Sequence, residues 1–216
     1  MKKAFAIFDM DGTLVDSMQY WKQLGREYIR GKGVTGEIDS VLQQTKPLTM
    51  AESSALFIRE FHLKGTPEEI AAEMTAVMDD HYRHDVPLKP GVRAYLSKLK
   101  QRGVTMCVAS ATAEPLVKLC LTRLGVADHF SFLLSCERVG VGKNSPDVYL
   151  EAARQLGCAP QEAAVFEDAL YAAETAKKAG FYTVGIYDDN SRDHWPRMQA
   201  LADQCITDWA EAAEDL

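Results

Sequence analysis

Short apolar runs set apart by helix-like stretches constrain this chain more than any other feature. The runs are Ala4–Phe8, Val104–Ala109, Phe130–Leu134, Ala163–Phe166 and Thr183–Tyr187. Short continuous apolar runs suit strands covered on both faces, as in a parallel sheet. Between the later runs, Gly91–Gln101, Ala113–Leu124, Pro146–Leu156 and Ala169–Ala179 carry apolar residues at helical spacing. Gly103, Gly125, Gly157 and Gly180 follow them closely, where a helix stop belongs. Strands alternating with helices predict an α/β fold, a Rossmann-like parallel sheet flanked by helices.

The first two runs are separated by a long block with no strand signal. Within it Asp16–Arg30, Met50–Phe61 and Pro67–His84 read as helices. Thr66 fits an N-cap, with Pro67 at the first helical position and Glu68 and Glu69 in the first turn. The block is too long for one crossover, so the expected organisation is a core of 1–14 and 89–216 and an inserted helical domain of 15–88. Its connections would be Thr13–Val15 and Val86–Gly91, the latter stiffened by Pro87 and Pro90.

Apolar residues make up 47% and charged residues 25%, the balance of a folded globular protein. Lys and Arg total 24 against 31 Asp and Glu, a net charge of −7. With no basic block, a nucleic-acid partner is not expected. An anionic ligand would have to be attracted by a local site. No apolar run reaches the roughly 18 residues of a membrane span, and Asp9 and Asp11 cut the first run short of a secretory core. Cys107, Cys120, Cys136, Cys158 and Cys205 are odd in number and form no CxxC pair. Buried free thiols in a reducing cytoplasm are expected, and so is a monomer.

Chemistry gathers at the strand ends. The first run closes on Phe8-Asp9-Met10-Asp11-Gly12-Thr13. Carboxylates two residues apart beyond a buried strand are costly unless something uses them, and a magnesium ion, which takes hard oxygen ligands, is one solution. A charged strand end with Gly12 as a plain turn is the alternative. The second run closes on Ala109-Ser110-Ala111-Thr112, either an anion cradle or an ordinary N-cap serine. Lys143, in Gly142-Lys143-Asn144-Ser145-Pro146-Asp147, sits on a loop before a helix and could equally be a surface lysine. The fourth run closes on Phe166-Glu167-Asp168, acidic chemistry or a helix cap. In a parallel sheet these segments meet at one edge, where carboxylates, a hydroxyl and a lysine make a magnesium-plus-phosphate constellation. Neither GxxxxGK[ST] nor GxGxxG is present, and no His lies at an expected strand end.

In this order, Asp9-x-Asp11-Gly12-Thr13, Ser110-Ala111, Lys143 and Glu167-Asp168 resemble the four motifs of the haloacid dehalogenase superfamily. The helical insert is similar to that of the branch containing β-phosphoglucomutase and phosphoglycolate phosphatase. The fourth motif departs from the family, with Ala169 and Ala172 where a serine and a glycine are common. The resemblance implies a Rossmann-like core with an α-helical cap and a magnesium-dependent phosphatase of a small phosphorylated metabolite. It implies Asp9 as the nucleophile that becomes an aspartyl phosphate and Asp11 as general acid and base, with its backbone carbonyl on the metal. Ser110 and the N–H of Ala111 would hold the phosphoryl oxygens, Lys143 would balance charge, and Asp168 with Glu167 would complete the magnesium shell. Cap residues expected to face substrate are Tyr20, Trp21, Lys46 and Thr49; packing within the cap is the alternative for Tyr20 and Trp21. A β-phosphoglucomutase-like mutase is the rival reading, followed by a non-catalytic phosphoacceptor domain. Trp21 stands where the mutases carry a histidine, and an indole has one donor and no acceptor, which favours the phosphatase.

Overall fold

The computed structural model describes residues 3–45 and 50–212. Strand β1 (Phe5–Phe8) lies at the centre of a parallel sheet, between β2 (Thr105–Ser110) and β4 (Ala163–Glu167). Phe8 is in register with Val108 on one side and Phe166 on the other. β3 (Leu133–Ser135) adds to β2, β5 (Tyr182–Ile186) to β4, and β6 (Gln204–Ile206) to β5, in the order β3-β2-β1-β4-β5-β6. From β1 the chain builds outward through β2 and β3, then returns to the other side of β1 for β4. That reversal leaves a crevice beyond the carboxyl ends of the central strands, the place where open α/β sheets bind ligands.

Helices α1 to α4 (Met18–Gly31, Asp39–Thr45, Met50–Phe61, Pro67–His84) precede β2, and α5 (Val92–Gln101) leads into it. α6 (Glu114–Arg123) follows β2, and the short α7 (Cys136–Val139) with α8 (Asp147–Leu156) follows β3. α9 (Leu170–Lys178) follows β4, and α10 (Trp195–Leu201) precedes β6.

Alternation along β1 sends neighbouring side chains to opposite layers. Ile7 packs with Cys107, Val165 and the α8 residues Tyr149 and Ala152. Phe8 stacks on Phe166 at 4.2 Å between ring centres, and Trp209 covers Phe166 at 5.9 Å with Tyr95 edge-on to its indole. Phe8 and Phe166, wholly removed from water, each contribute roughly 1.5–3 kcal/mol.

The chain divides into two compact units, Gln19–Asp85 and the remainder. In the helical unit Leu24, Ile29, Phe57, Ile70, Met74, Met78 and Tyr82 are buried. Thr66 caps α4 by accepting from the Glu69 N–H at 3.2 Å, while Glu69 accepts from the Thr66 N–H at 2.8 Å. The connecting segments pair with each other: Val15 bridges Leu88 antiparallel, Asp16 N–H donates to Pro87 at 3.0 Å, and Lys89 N–H donates to Leu14 at 3.0 Å. Those hydrogen bonds join the two segments to each other, and both belong to the core unit.

Some elements differ from the expectation. The third strand covers Leu133–Ser135, not Phe130–Leu134. Phe130 closes a single 3-10 turn, and its ring meets the edge of Phe8 at 6.0 Å, so its apolar character serves packing. β6 and the short helices α2, α7 and α10 are additional to those expected. All the cysteines are free, and Cys107, Cys120 and Cys136 are buried. No helix among the described residues is long and apolar enough to cross a membrane.

Candidate active site

β1 delivers Asp9 to the crevice. Its backbone N–H still pairs with Phe166 at 3.0 Å, so the strand holds the residue in place up to that point. The chain then winds back on the Met10 carbonyl, which accepts from the N–H groups of Leu14 at 2.9 Å and Val15 at 3.0 Å. Gly12 makes the turn with φ +79°, and a Cβ there would stand 2.4 Å from Asp168 Oδ2. Glycine is therefore required twice, by conformation and by the approach of the fourth strand's carboxylate.

Lys143 is not a surface lysine. From the loop between α7 and α8 it reaches into the crevice, 5% exposed, and its ammonium donates to the Asp9 carboxylate and, at 2.5 Å, to Glu167. Tyr149 of α8 donates to the same Glu167 oxygen at 2.6 Å. Burial alone would push the Lys143 ammonium toward losing its proton, but Asp9 and Glu167 hold its pKa well above the usual value. Asp9 is pushed well up by burial and then by Glu167, with Lys143 opposing. Burial and Glu167 raise Asp168 to about 7, with Lys89 opposing. Lys89, half-buried, pairs with the buried Asp188 at 2.8 Å.

Asp9, Glu167 and Asp168 each offer an oxygen, and these atoms lie within 4.8 Å of one another. Three buried carboxylates against the single ammonium of Lys143 leave a deficit of positive charge. A hard divalent cation with oxygen ligands fits that deficit and that donor set.

Asp11 stands apart from the cluster. Its two oxygens accept from different hydroxyls, Oδ1 from Ser17 at 2.7 Å and Oδ2 from Thr112 at 2.7 Å. Ser110 is buried at the end of β2, and its Oγ accepts from the Thr112 N–H at 3.0 Å. It is not the N-cap of the next helix: that position is Ala113, which makes no side-chain cap. Ala111, between them, is exposed.

In the helical unit, the Trp21 indole N–H donates to Tyr82 Oη at 3.0 Å, and Tyr20 packs against the His81 ring at 4.6 Å. Both side chains thus make contacts within their own unit. Lys46 and Thr49 lie outside the described residues. Sequence reasoning missed Tyr149, Thr112 as a partner of Asp11, and the Lys89–Asp188 pair. Tyr149 lies two residues after Asp147 of the third motif, and Thr112 two after Ser110, so neighbours of motif residues were the available signal.

The sequence profile of the haloacid dehalogenase-like hydrolases matches residues 4–180. The chain belongs to this family. As a haloacid dehalogenase-like hydrolase it is an enzyme with a six-stranded α/β core. Hexitol phosphatase B of Escherichia coli strain K12 is 28% identical over 213 residues, covering 98% of this chain and 95% of that protein. β-Phosphoglucomutase of Bacillus subtilis strain 168 is 28% identical over 199 residues, covering 83% and 81%. The crystal structure of CbbY from Rhodobacter sphaeroides in complex with phosphate superposes with a TM-score of 0.77 at 26% identity, covering 97% of this chain and 96% of that one.

Proposed function

We propose that this hydrolase is a magnesium-dependent phosphatase of a small sugar or polyol phosphate, working through an aspartyl phosphate on Asp9. The observation that carries the reading is Asp9 itself, buried at the end of β1 with its carboxylate on the Lys143 ammonium. An Asp9 oxygen attacks phosphorus, and the bond from phosphorus to the sugar oxygen breaks. Asp11 gives its proton to that oxygen, so the leaving group departs as an alcohol. Water then loses a proton to Asp11 and attacks the same phosphorus, which returns Asp9 and releases inorganic phosphate. Ser110 and the Ala111 N–H would bind phosphoryl oxygens, and Lys143 would offset their charge. Asp9, the Asp11 carbonyl and Asp168, with Glu167 beside them, would hold magnesium, which supplies positive charge against the crowded oxygens of phosphate and carboxylate. Choice of substrate is assigned to the helical unit.

The substrate class draws on the relatives, which include a hexitol phosphatase and a β-phosphoglucomutase. Water as acceptor draws on Trp21, whose single donor is engaged by Tyr82 and which has no acceptor to relay a proton. The test is phosphate release from a panel of sugar, polyol and aryl phosphates with magnesium and no bisphosphate activator. Steady release by the wild type, and none by Asp9→Asn with an unchanged circular dichroism spectrum, is expected. Near wild-type hydrolysis by Asp9→Asn sinks the mechanism. Conversion of β-glucose 1-phosphate to glucose 6-phosphate faster than phosphate release replaces it with a mutase.

A further inference from the structure

The hydroxyl of Thr112 has a destination that the phosphate cradle does not explain. It leaves the β2 end and donates to Oδ2 of Asp11, a residue from the loop after β1, at 2.7 Å. Its own backbone is fixed, because its N–H is bound to the buried Ser110 Oγ. It does not occupy the N-cap position of α6, which is Ala113. Ser17, fully buried, takes the other Asp11 oxygen at 2.7 Å. A carboxyl held by one hydroxyl can still swing about its Cβ–Cγ bond. Held at both oxygens, from separate segments, it has one orientation.

We infer that Thr112 is a positioning residue that aims the Asp11 carboxyl at the leaving-group oxygen. The inference rests on the phosphatase reading, in which Asp11 is the acid. A hydroxyl suits the task because it carries one donor and two acceptor lone pairs. When Asp11 bears its proton, the unprotonated oxygen keeps an accepted bond and the other hydroxyl offers a lone pair. After the proton passes to the departing alkoxide, both hydroxyls donate to the carboxylate. The ionised form is then ready to take the proton of water in the second half of the cycle. Valine keeps the shape of threonine and loses both functions; serine keeps them.

Leaving groups provide the test. A nitrophenolate departs without a proton, whereas a sugar or polyol alkoxide needs one. The value of kcat/KM reports events up to transfer of the phosphoryl group, so it isolates the acid step. It is measured on sorbitol 6-phosphate and glucose 6-phosphate and, in parallel, on p-nitrophenyl phosphate. Thr112→Val should lose on the order of 10- to 100-fold on the alkyl phosphates and less than about threefold on the aryl phosphate. Thr112→Ser should restore the alkyl activity, and Thr112→Ala, which also lacks the hydroxyl, should show the same selective loss and serves as the probe if the valine variant proves unstable. Asp11→Asn should show the same selectivity more strongly. An equal loss on both substrate types in Thr112→Val, no loss at all, or failure of serine to rescue overturns the positioning role while Asp11→Asn still discriminates. If Asp11→Asn does not discriminate, or the wild type hydrolyses none of these esters, the phosphatase reading falls and takes the inference with it.

Discussion

Replacing Gly12 by alanine separates the chemistry of the site from the stability of its fold. Gly12 has φ +79°, where an L side chain costs about 1–2 kcal/mol. The new methyl would start 2.4 Å from Asp168 Oδ2 and 3.0 Å from Met18 Cγ, so it has no open side to move into. The Asp168 carboxylate must therefore retreat by about 1 Å to reach an ordinary carbon–oxygen separation. The fold can absorb this: a total near 2 kcal/mol lowers Tm by roughly 4–8 °C in a chain of this size. Chemistry should suffer more, because misplacing a reacting or ligand group by 1 Å costs on the order of 100-fold in rate. Differential scanning fluorimetry gives the first number, and magnesium titration of p-nitrophenyl phosphate hydrolysis gives the second. Gly12→Ala should need more magnesium for half-maximal rate and reach a much lower plateau. A variant with the wild-type magnesium midpoint and a rate within about twofold would refute the geometric argument, whatever its Tm.

Lys143→Met should destabilise the chain without magnesium by about 3–5 kcal/mol, because Asp9 and Glu167 lose their buried counter-charge. Magnesium should raise Tm more in this variant than in the wild type, and equal gains would contradict the charge-deficit reading. Chelation should abolish turnover and magnesium restore it, while calcium should inhibit through its looser coordination; full activity in excess chelator after metal stripping would refute a metal site. The His81 ring nitrogens lie 2.8 Å from Glu27 and 2.7 Å from Asp85, and the Tyr20 ring packs against the imidazole at a tilt. Burial opposes its charge, but these hydrogen bonds raise its pKa, so its contribution to stability is complete below about pH 6.5 and fades as pH rises through the folded value. The Tm advantage of wild type over His81→Asn should accordingly shrink from pH 6 to pH 9, and an advantage independent of pH would show that imidazolium is not involved.

The strands most legible in the sequence are those buried on both faces. Ala163–Phe166 and Thr183–Tyr187 lie within a residue of the observed β4 and β5, because continuous burial leaves a continuous apolar run. β6 escaped because an edge strand of Gln204, Cys205 and Ile206 has no such run to show. Helix α2 escaped because only Val41 of its seven residues is buried, too few for a period. In the site, Asp9, Glu167 and Asp168 were legible as unusual charges at strand ends, where the topology brings them together, whereas Lys143, on a loop before α8, was marked only by the family resemblance. Thr112, Ser17 and Tyr149 stood out only as neighbours of motif residues, because the direction of a hydroxyl leaves no mark on composition or spacing.

The central position of β1 also dictates the order in which the protein becomes itself as it is made. Phe5 pairs with Thr105 on one side and with Ala163 on the other, so the first strand translated waits longest for its neighbours. At about 5–20 residues per second, that wait lasts on the order of ten seconds. The residues of the helical unit, by contrast, form one continuous segment, Gln19–Asp85, whose partners are at hand as soon as it emerges. A ribosome-bound chain halted before β4 carries Asp9 but neither Glu167 nor Asp168. The three-carboxylate group Asp9, Glu167 and Asp168 is absent from every form that stops short of Asp168, so its charge crowding begins only when β4 joins β1.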